Sequence, residues 1–194
     1  MTGGVDAVSD AFESVPRVGF LPPHQVRRAS YDGPLDLGHG QTCSQPRTVA
    51  AMMRLLEVRP GDRVLDVGSG SGWTTALLAH LTGPEGQVVG VELEPELVTF
   101  GATNLARAAR PWARIEAAEP GVLGVPAGAP YDRVLVSAEA EELPEALLEQ
   151  LASPGRLVVP VAGTLLLAVR DGQGGTVVTE HGRYRFVPLR RDVG

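Results

Sequence analysis

The sequence contains no lysine: all 17 basic residues among its 194 are arginines. That absence removes Schiff-base chemistry and any phosphate loop built on a lysine. Cysteine is almost as scarce. Cys43 stands alone, so no disulfide can close within the chain, and a reducing compartment is expected. Long apolar runs are missing as well. The longest, Leu157 to Val169, is interrupted by Pro160 and Gly163 and falls short of the roughly 20 residues a membrane span needs. The start, MTGGVDAVSD, has neither the basic residues nor the apolar run of a secretory signal. A cytoplasmic chain with no membrane partner is therefore expected. Positive charge is in deficit too. The 23 acidic residues leave a net charge of −6, and scattered arginines on a negative chain argue against a general nucleic-acid binder. His24, His80 and His181 are isolated and, with one cysteine, make no metal set.

The remaining composition is ordinary for a globular protein: 43% hydrophobic and 21% charged residues, with 24 Gly and 16 Pro. The length suits one domain, and a chain of this size can bury roughly 70% of its unfolded surface. Apolar positions Val5, Val8, Phe12 and Val15 predict a helix within residues 5–18, closed by Pro16. Residues 19–46, rich in Gly, Pro, His and Asp, read as a long ordered loop of the kind usually kept for a function. An alternation follows. Helices are expected at Thr48–Glu57, Thr74–His80, Glu94–Ala109 and Leu143–Leu151, the last stopped by Pro154-Gly155. Strands are expected at Arg63–Val67, Gln87–Glu92, Ala113–Ala117, Arg133–Ser137 and Arg156–Val161. A hairpin of Thr164–Val169 with Thr176–Glu180 and a last strand near Tyr184–Pro188 complete the chain. Strands alternating with helices imply an α/β fold with a parallel sheet covered on both faces, and the hairpin makes it a mixed sheet.

The sharpest chemical signal is VLDVGSGSGWTT, a strand, a glycine turn and a helix. Gly68, Gly70 and Gly72 let backbone approach a ligand closely. The spacing is G-x-G-x-G, with Trp73 at the sixth position, so it is not the dinucleotide loop G-x-G-x-x-G. Asp66 lies two residues before the first glycine and does not suit a pyrophosphate, because like charges would repel. It suits a ligand with a positive centre. Glu92 ends the next strand, where an acceptor-only carboxylate can meet both hydroxyls of a ribose. Together these features resemble the S-adenosylmethionine site of Rossmann-like methyltransferases. The candidate cofactor residues are Asp66, Gly68, Ser69, Gly70, Ser71, Gly72, Trp73, Glu92 and Leu93. Glu119, past the third strand of that alternation, stands where such folds often present an acid to the adenine amino group.

The second signal is GHGQTCSQP, residues 38–46. Gln41, Thr42 and Ser44 offer short polar groups just before Pro46 opens a helix, and a helix N-terminus favours an anion. A substrate carboxylate is expected there.

These two stretches, with VPRVGFLPP, SYDGPL, LPEALLEQL, GRLVVPV and the terminal RFVPL, resemble the protein-L-isoaspartate (D-aspartate) O-methyltransferase family. The likeness runs from about Val8 to Leu189, with the motifs in the family's order. It implies a single Rossmann-like class I methyltransferase domain, with a mixed seven-stranded sheet and helices on both faces. Residues 1–46 would form the N-terminal helix and substrate loop, and 47–194 the cofactor-binding core and C-terminal hairpin. It further implies S-adenosyl-L-methionine as cofactor, S-adenosyl-L-homocysteine as product, and isoaspartyl peptides or proteins as substrate. The activity would be protein repair, the methyl ester closing to a succinimide that can reopen to aspartate. Ser44 would be the active-site serine, with Gln41, Thr42 and Arg47 beside it, and a monomer is expected. The acceptor carboxylate is ionised at neutral pH and needs no general base.

The chain departs from the family at several places. Ala118-Glu119-Pro120-Gly121 replaces the usual Gly-Asp-Gly, Cys43 an Ile or Val, Arg47 a Tyr or His, and Trp73 a Tyr. Trp73 could pack on the cofactor or on the first helix. The acidic run Glu139–Glu142 follows the fourth strand of the alternation, where the family is small and apolar. If it lined the substrate mouth it would repel acidic peptides, which keeps open a related enzyme acting on another carboxylate. The altered Ala118–Gly121 stretch keeps open a cofactor-binding homologue with little activity.

Overall fold

The computed structural model describes residues 6–190. Five strands, β3 (Arg63–Val67), β4 (Gln87–Glu92), β5 (Ala113–Ala117), β6 (Tyr131–Val136) and β7 (Leu151–Val161), lie parallel, and β8 (Thr164–Arg170) and β9 (Thr176–Arg183) extend them antiparallel. The order across the sheet is β5-β4-β3-β6-β7-β8-β9. The chain therefore leaves β3 on one side, through β4 to β5, and returns to β6 on the other. That reversal opens a crevice at the carboxyl ends of β3, β4 and β6, where ligands bind in open α/β sheets.

The strand sequences explain the layering. In β3, Val64 faces one core while Leu65 and Val67 face the other. Val88 against Val89 and Val91 in β4, and Leu135 against Val134 and Val136 in β6, repeat the alternation. Both faces are apolar because both are covered. Four helices, α1 (Ala7–Ser14), α2 (Pro46–Leu56), α3 (Trp73–Thr82) and α4 (Pro95–Arg107), contribute to the first core, and α5 (Glu145–Glu149) contributes Leu147 and Leu148 to the second. Pro46 and Pro95 each open a helix, where the missing N–H costs nothing and the fixed φ suits the first turn. In α1 the buried positions are Val8 and Ala11, and Val5 lies outside the described residues.

Three expectations need correction. Residues 19–46 are not one loop: two 3-10 turns, Arg17–Phe20 and Pro23–Arg28, precede a small hairpin of β1 (Leu35–Gly38) and β2 (Gln41–Cys43). Gly38, His39 and Gly40 make its tip with φ of +88°, +55° and +69°, a run in the left-handed region that the two glycines permit. Pro154-Gly155 does not stop a helix. The helix has already ended at Glu149, and β7 begins at Leu151, opposite Tyr131. The strand foreseen at Tyr184–Pro188 is reduced to one bridge, Glu139 to Pro188.

Candidate active site

The glycine loop leaves β3 and turns at once into α3. Gly70 and Gly72 have φ of +52° and +83°, and a Cβ on Gly72 would lie 2.8 Å from the Gly101 carbonyl oxygen. Gly101 answers from α4: a Cβ there would stand 2.7 Å from the Gly70 carbonyl. The pair lets helix and loop backbones touch, which fixes the height of the loop over β4.

Asp66 lies beneath this loop, fully buried. The hydroxyls of Thr74 and Thr75 both donate to its Oδ2 at 2.7 Å, and the Ser137 hydroxyl approaches Oδ1 at 3.4 Å. Burial pushes its carboxyl up to about 6, against the pull of these hydroxyls, with the charge of Glu92 adding to the rise. Asp66 does not line the crevice. Its side chain points back under the loop and holds the first turn of α3 through Thr74 and Thr75.

Glu92 does line the crevice, at 7% exposure. Its Oε2 accepts from the Gly70 N–H at 2.8 Å, and its Oε1 from the N–H groups of Leu93 and Glu94 at 2.8 and 3.0 Å. A carboxylate has about four acceptor positions, so these three bonds orient it and leave capacity for a diol. Gly68, Gly70 and Leu93 share the crevice wall. The Ser69 hydroxyl is buried without a partner, and Ser71 is buried with its carbonyl held by Asn104.

Two segments roof the crevice. The β1–β2 hairpin brings Gln41 and Thr42 over it, and Leu37 would be 3.6 Å from a Cβ on Gly70. Residues 187–190 close the other side. Both are pinned at the start of α4: His39 meets Glu96 at 3.0 Å and Glu94 at 3.7 Å, and Arg190 meets Glu94 at 3.8 Å.

A second cleft, of about 580 Å³, opens beside the first and is lined by Ser44, Gln45, Arg47 and Thr48 with the segment after β9. The two share Thr42, Ser137 and Val187. Ser137 was not singled out by sequence. Its signal was available: it is the first small polar residue after RVLV, the strand that flanks β3 across the reversal.

Three further candidate residues make their contacts within the chain. The Trp73 ring packs on the first helix and also lines a small pocket with Ser44 and the glycine loop. Its N–H donates to the Val15 carbonyl at 3.0 Å, Phe12 meets it edge-on at 5.3 Å, and the Arg17 guanidinium lies 5.5 Å from its centre. Glu119 is exposed and outside the crevice lining, although its neighbours Ala118 and Val122 belong to it: residues 119–121 form an exposed turn in which the Val122 N–H bonds back to the Glu119 carbonyl. Arg47 lines the second cleft, but its backbone N–H and guanidinium both hold Asp32, at 3.1 and 2.6 Å. The anion place at the start of α2 is thus filled from within the chain. The Arg47 N–H, helped by Gln45 and the guanidinium, keeps Asp32 below the usual carboxylate range.

Arg17 holds this region together. It is buried, and donates to the carbonyls of Tyr31, Gly33 and Cys43 at 2.7 to 3.0 Å and to the Cys43 sulfur at 3.3 Å. Cys43 is a buried hydrophobe, and burial pushes its thiol up, away from a reactive thiolate. Among the described residues no three His, Cys, Asp or Glu side chains gather to hold a metal. No described helix is long and apolar enough to cross a membrane.

The fold and the crevice define the class, a Rossmann-like S-adenosylmethionine-dependent methyltransferase. A solved structure of a protein-L-isoaspartate O-methyltransferase superposes with a TM-score of 0.86 at 28% identity, covering 99% of this chain and 63% of the other. A crystal structure described as a putative enzyme of that name from Plasmodium falciparum, in complex with S-adenosyl-L-homocysteine, gives 0.82 at 27% identity, covering 97% and 92%. The family model for protein-L-isoaspartate(D-aspartate) O-methyltransferase matches residues 3–194. The protein-L-isoaspartate O-methyltransferase of Methanopyrus kandleri is 42% identical over 191 residues, 96% of this chain and 84% of its own length. This chain belongs to the protein-L-isoaspartate(D-aspartate) O-methyltransferase family.

Proposed function

We propose that the chain methylates the free α-carboxylate of L-isoaspartyl residues in damaged proteins or peptides, with Ser44 orienting the acceptor and Glu92 the cofactor. The observation that carries this reading is the junction of the two clefts at Thr42, Ser137 and Val187. One cleft holds the acid suited to a ribose, and the other holds the serine.

The crevice fits S-adenosyl-L-methionine on two counts: the spare acceptor capacity of Glu92 and the close backbone of the glycine loop. When bound, that cofactor supplies a methyl already activated on a sulfonium. The chain therefore needs no nucleophile or base of its own. An isoaspartyl carboxylate, with a pKa near 4, is ionised at neutral pH. Thr42 and Ser44 offer hydroxyls to orient it at the cleft. The roof of hairpin and C-terminal segment excludes water, which would otherwise solvate the attacking oxygen. Positioning of this kind can supply roughly 7–11 kcal/mol of the barrier.

The test is transfer of labelled methyl to an isoaspartyl peptide, with the aspartyl peptide as control. Transfer to the isoaspartyl form alone is expected, and no transfer by a protein that binds the cofactor sinks the reading. Ser44→Ala should lower kcat far more than it weakens cofactor binding, and equal loss in both removes Ser44 from the substrate side. The acidic run Glu139–Glu142 does not line the second cleft, so the ground for a different carboxylate substrate is weakened.

A further inference from the structure

The cleft at Ser44 is lined by three cationic side chains, Arg47, Arg183 and Arg185, and by no carboxylate of the described residues. This is a local reversal of charge in a chain that carries −6 overall. Arg47 is matched by Asp32 at 2.6 Å. Arg183 and Arg185 are exposed, and among the described residues neither has a carboxylate oxygen within 4.0 Å. Between and beside them Tyr184 and Phe186 are partly buried against the main core, which fixes the backbone that presents both guanidiniums. The segment is tethered again where the Glu139 N–H donates to the Val187 carbonyl.

An isoaspartyl residue offers one free carboxylate, and that group must reach Ser44 and the junction. Two cations in the same cleft that no carboxylate of the described residues matches exceed what it needs. We infer that Arg183 and Arg185 are specificity-determining residues that favour isoaspartyl sites flanked by other acidic residues. The inference rests on the isoaspartyl reading of the site. The chemistry is that of guanidinium with carboxylate in a half-open cleft, strong enough to rank substrates and weak enough to release product. It is also screened by salt, with a Debye length of about 10 Å at 0.1 M.

The experiment compares two isoaspartyl peptides of equal length, one with Asp and Glu on either side of the damaged residue and one with Asn and Gln there. Their kcat/KM values are measured in the wild type, in the double variant Arg183→Gln/Arg185→Gln and in Arg185→Glu, at low and high salt. The acidic peptide should be favoured by about fivefold at low salt, from roughly twofold to threefold per arginine. The ratio should fall towards one in the double variant and in high salt, and towards the neutral peptide in Arg185→Glu. Because each ratio is internal to one protein, a partly unfolded variant does not distort it. Equal use of both peptides by the wild type, or a ratio that the variants leave unchanged, overturns the inference alone. Transfer to neither peptide overturns the isoaspartyl reading and the inference with it.

Discussion

Replacing Asp66 by asparagine should make the protein more stable at neutral pH while weakening its grip on the cofactor. Asp66 is fully buried, and its partners among the described residues are hydroxyls, those of Thr74, Thr75 and Ser137, with no cation. Burial lifts its carboxyl from the ordinary 3.8 to about 6. The folded chain thus holds this proton more tightly than the unfolded chain does. Between pH 3.8 and about 6 the native state binds more protons, so stability falls as pH rises through that window and stays lower above it. At 1.36 kcal/mol per pH unit the cost at neutral pH is about 3 kcal/mol. The side-chain amide of the Asp66→Asn variant carries no such charge, and threonine hydroxyls can serve it as donors or acceptors. Urea unfolding of both proteins from pH 4 to 8 should give curves that agree near pH 4 and diverge by up to about 3 kcal/mol at pH 8. For a chain of this length that is roughly 6–12 °C in Tm. Parallel curves across pH 4 to 6 would refute the burial argument. Isothermal titration should show weaker cofactor binding, since the ionised carboxylate ties the first turn of α3 and so sets the glycine loop.

Arg17→Met should cost about 2–3 kcal/mol in urea unfolding, roughly 1 kcal/mol for each of two buried carbonyls left without their donor and up to as much for the part-buried Tyr31 carbonyl; a loss below about 1 kcal/mol would contradict its role as the tie of the substrate loop. Gly101→Ala places a methyl 2.7 Å from the Gly70 carbonyl, where only backbone can give way; about 1–3 kcal/mol of stability and a measurable share of cofactor affinity should be lost, and unchanged calorimetric binding would show that the loop height is not set there. Glu92→Gln should raise the cofactor dissociation constant roughly tenfold or more, from about 1.5 kcal/mol per charged hydrogen bond, with little change in KM for peptide; an unchanged constant would remove Glu92 from the ribose site.

What could be read in sequence follows from what each residue's partner was. The bounds of β3, β4 and β5 match the expected strands because their signal is local: short runs bounded by turn residues, such as RVLDV and QVVGVE. The hairpin Leu35–Cys43 escaped notice because its strands are only four and three residues long, and its turn is set by Gly-His-Gly geometry rather than by alternation. The start of β7 was hidden for another reason. Pro154-Gly155 is a strong local stop, yet Leu151 pairs with Tyr131 and Gly155 with Arg170, and tertiary pairing outweighs the local signal. Glu92 and Ser44 could be placed at the clefts they line because a strand end and a loop before a helix are local features. For Trp73 the sequence leaves two readings open, cofactor or first helix: its hydrogen-bond partner lies 58 residues away, and no spacing rule chooses between them.

Charge near the cleft divides in the same way between neighbours in sequence and neighbours in space. Read along the chain, Glu139–Glu142 is the feature that would set substrate charge, because it follows the strand next to the glycine loop. Yet Glu139 acts through its backbone: its N–H holds Val187 and its carbonyl accepts from the Leu189 N–H. Those two bonds tether the segment that carries Arg183 and Arg185 to the cleft. Glu141 and Glu142 face outward. The acidic run therefore helps place the arginines, and the sign of the cleft is the opposite of the sign of the sequence beside it. Chains in this family with a small, apolar stretch at 139–142 could keep the same tether, since it uses only backbone groups. The exposed acids of this chain would then bear on solubility, and substrate preference would follow the residues at 183 and 185.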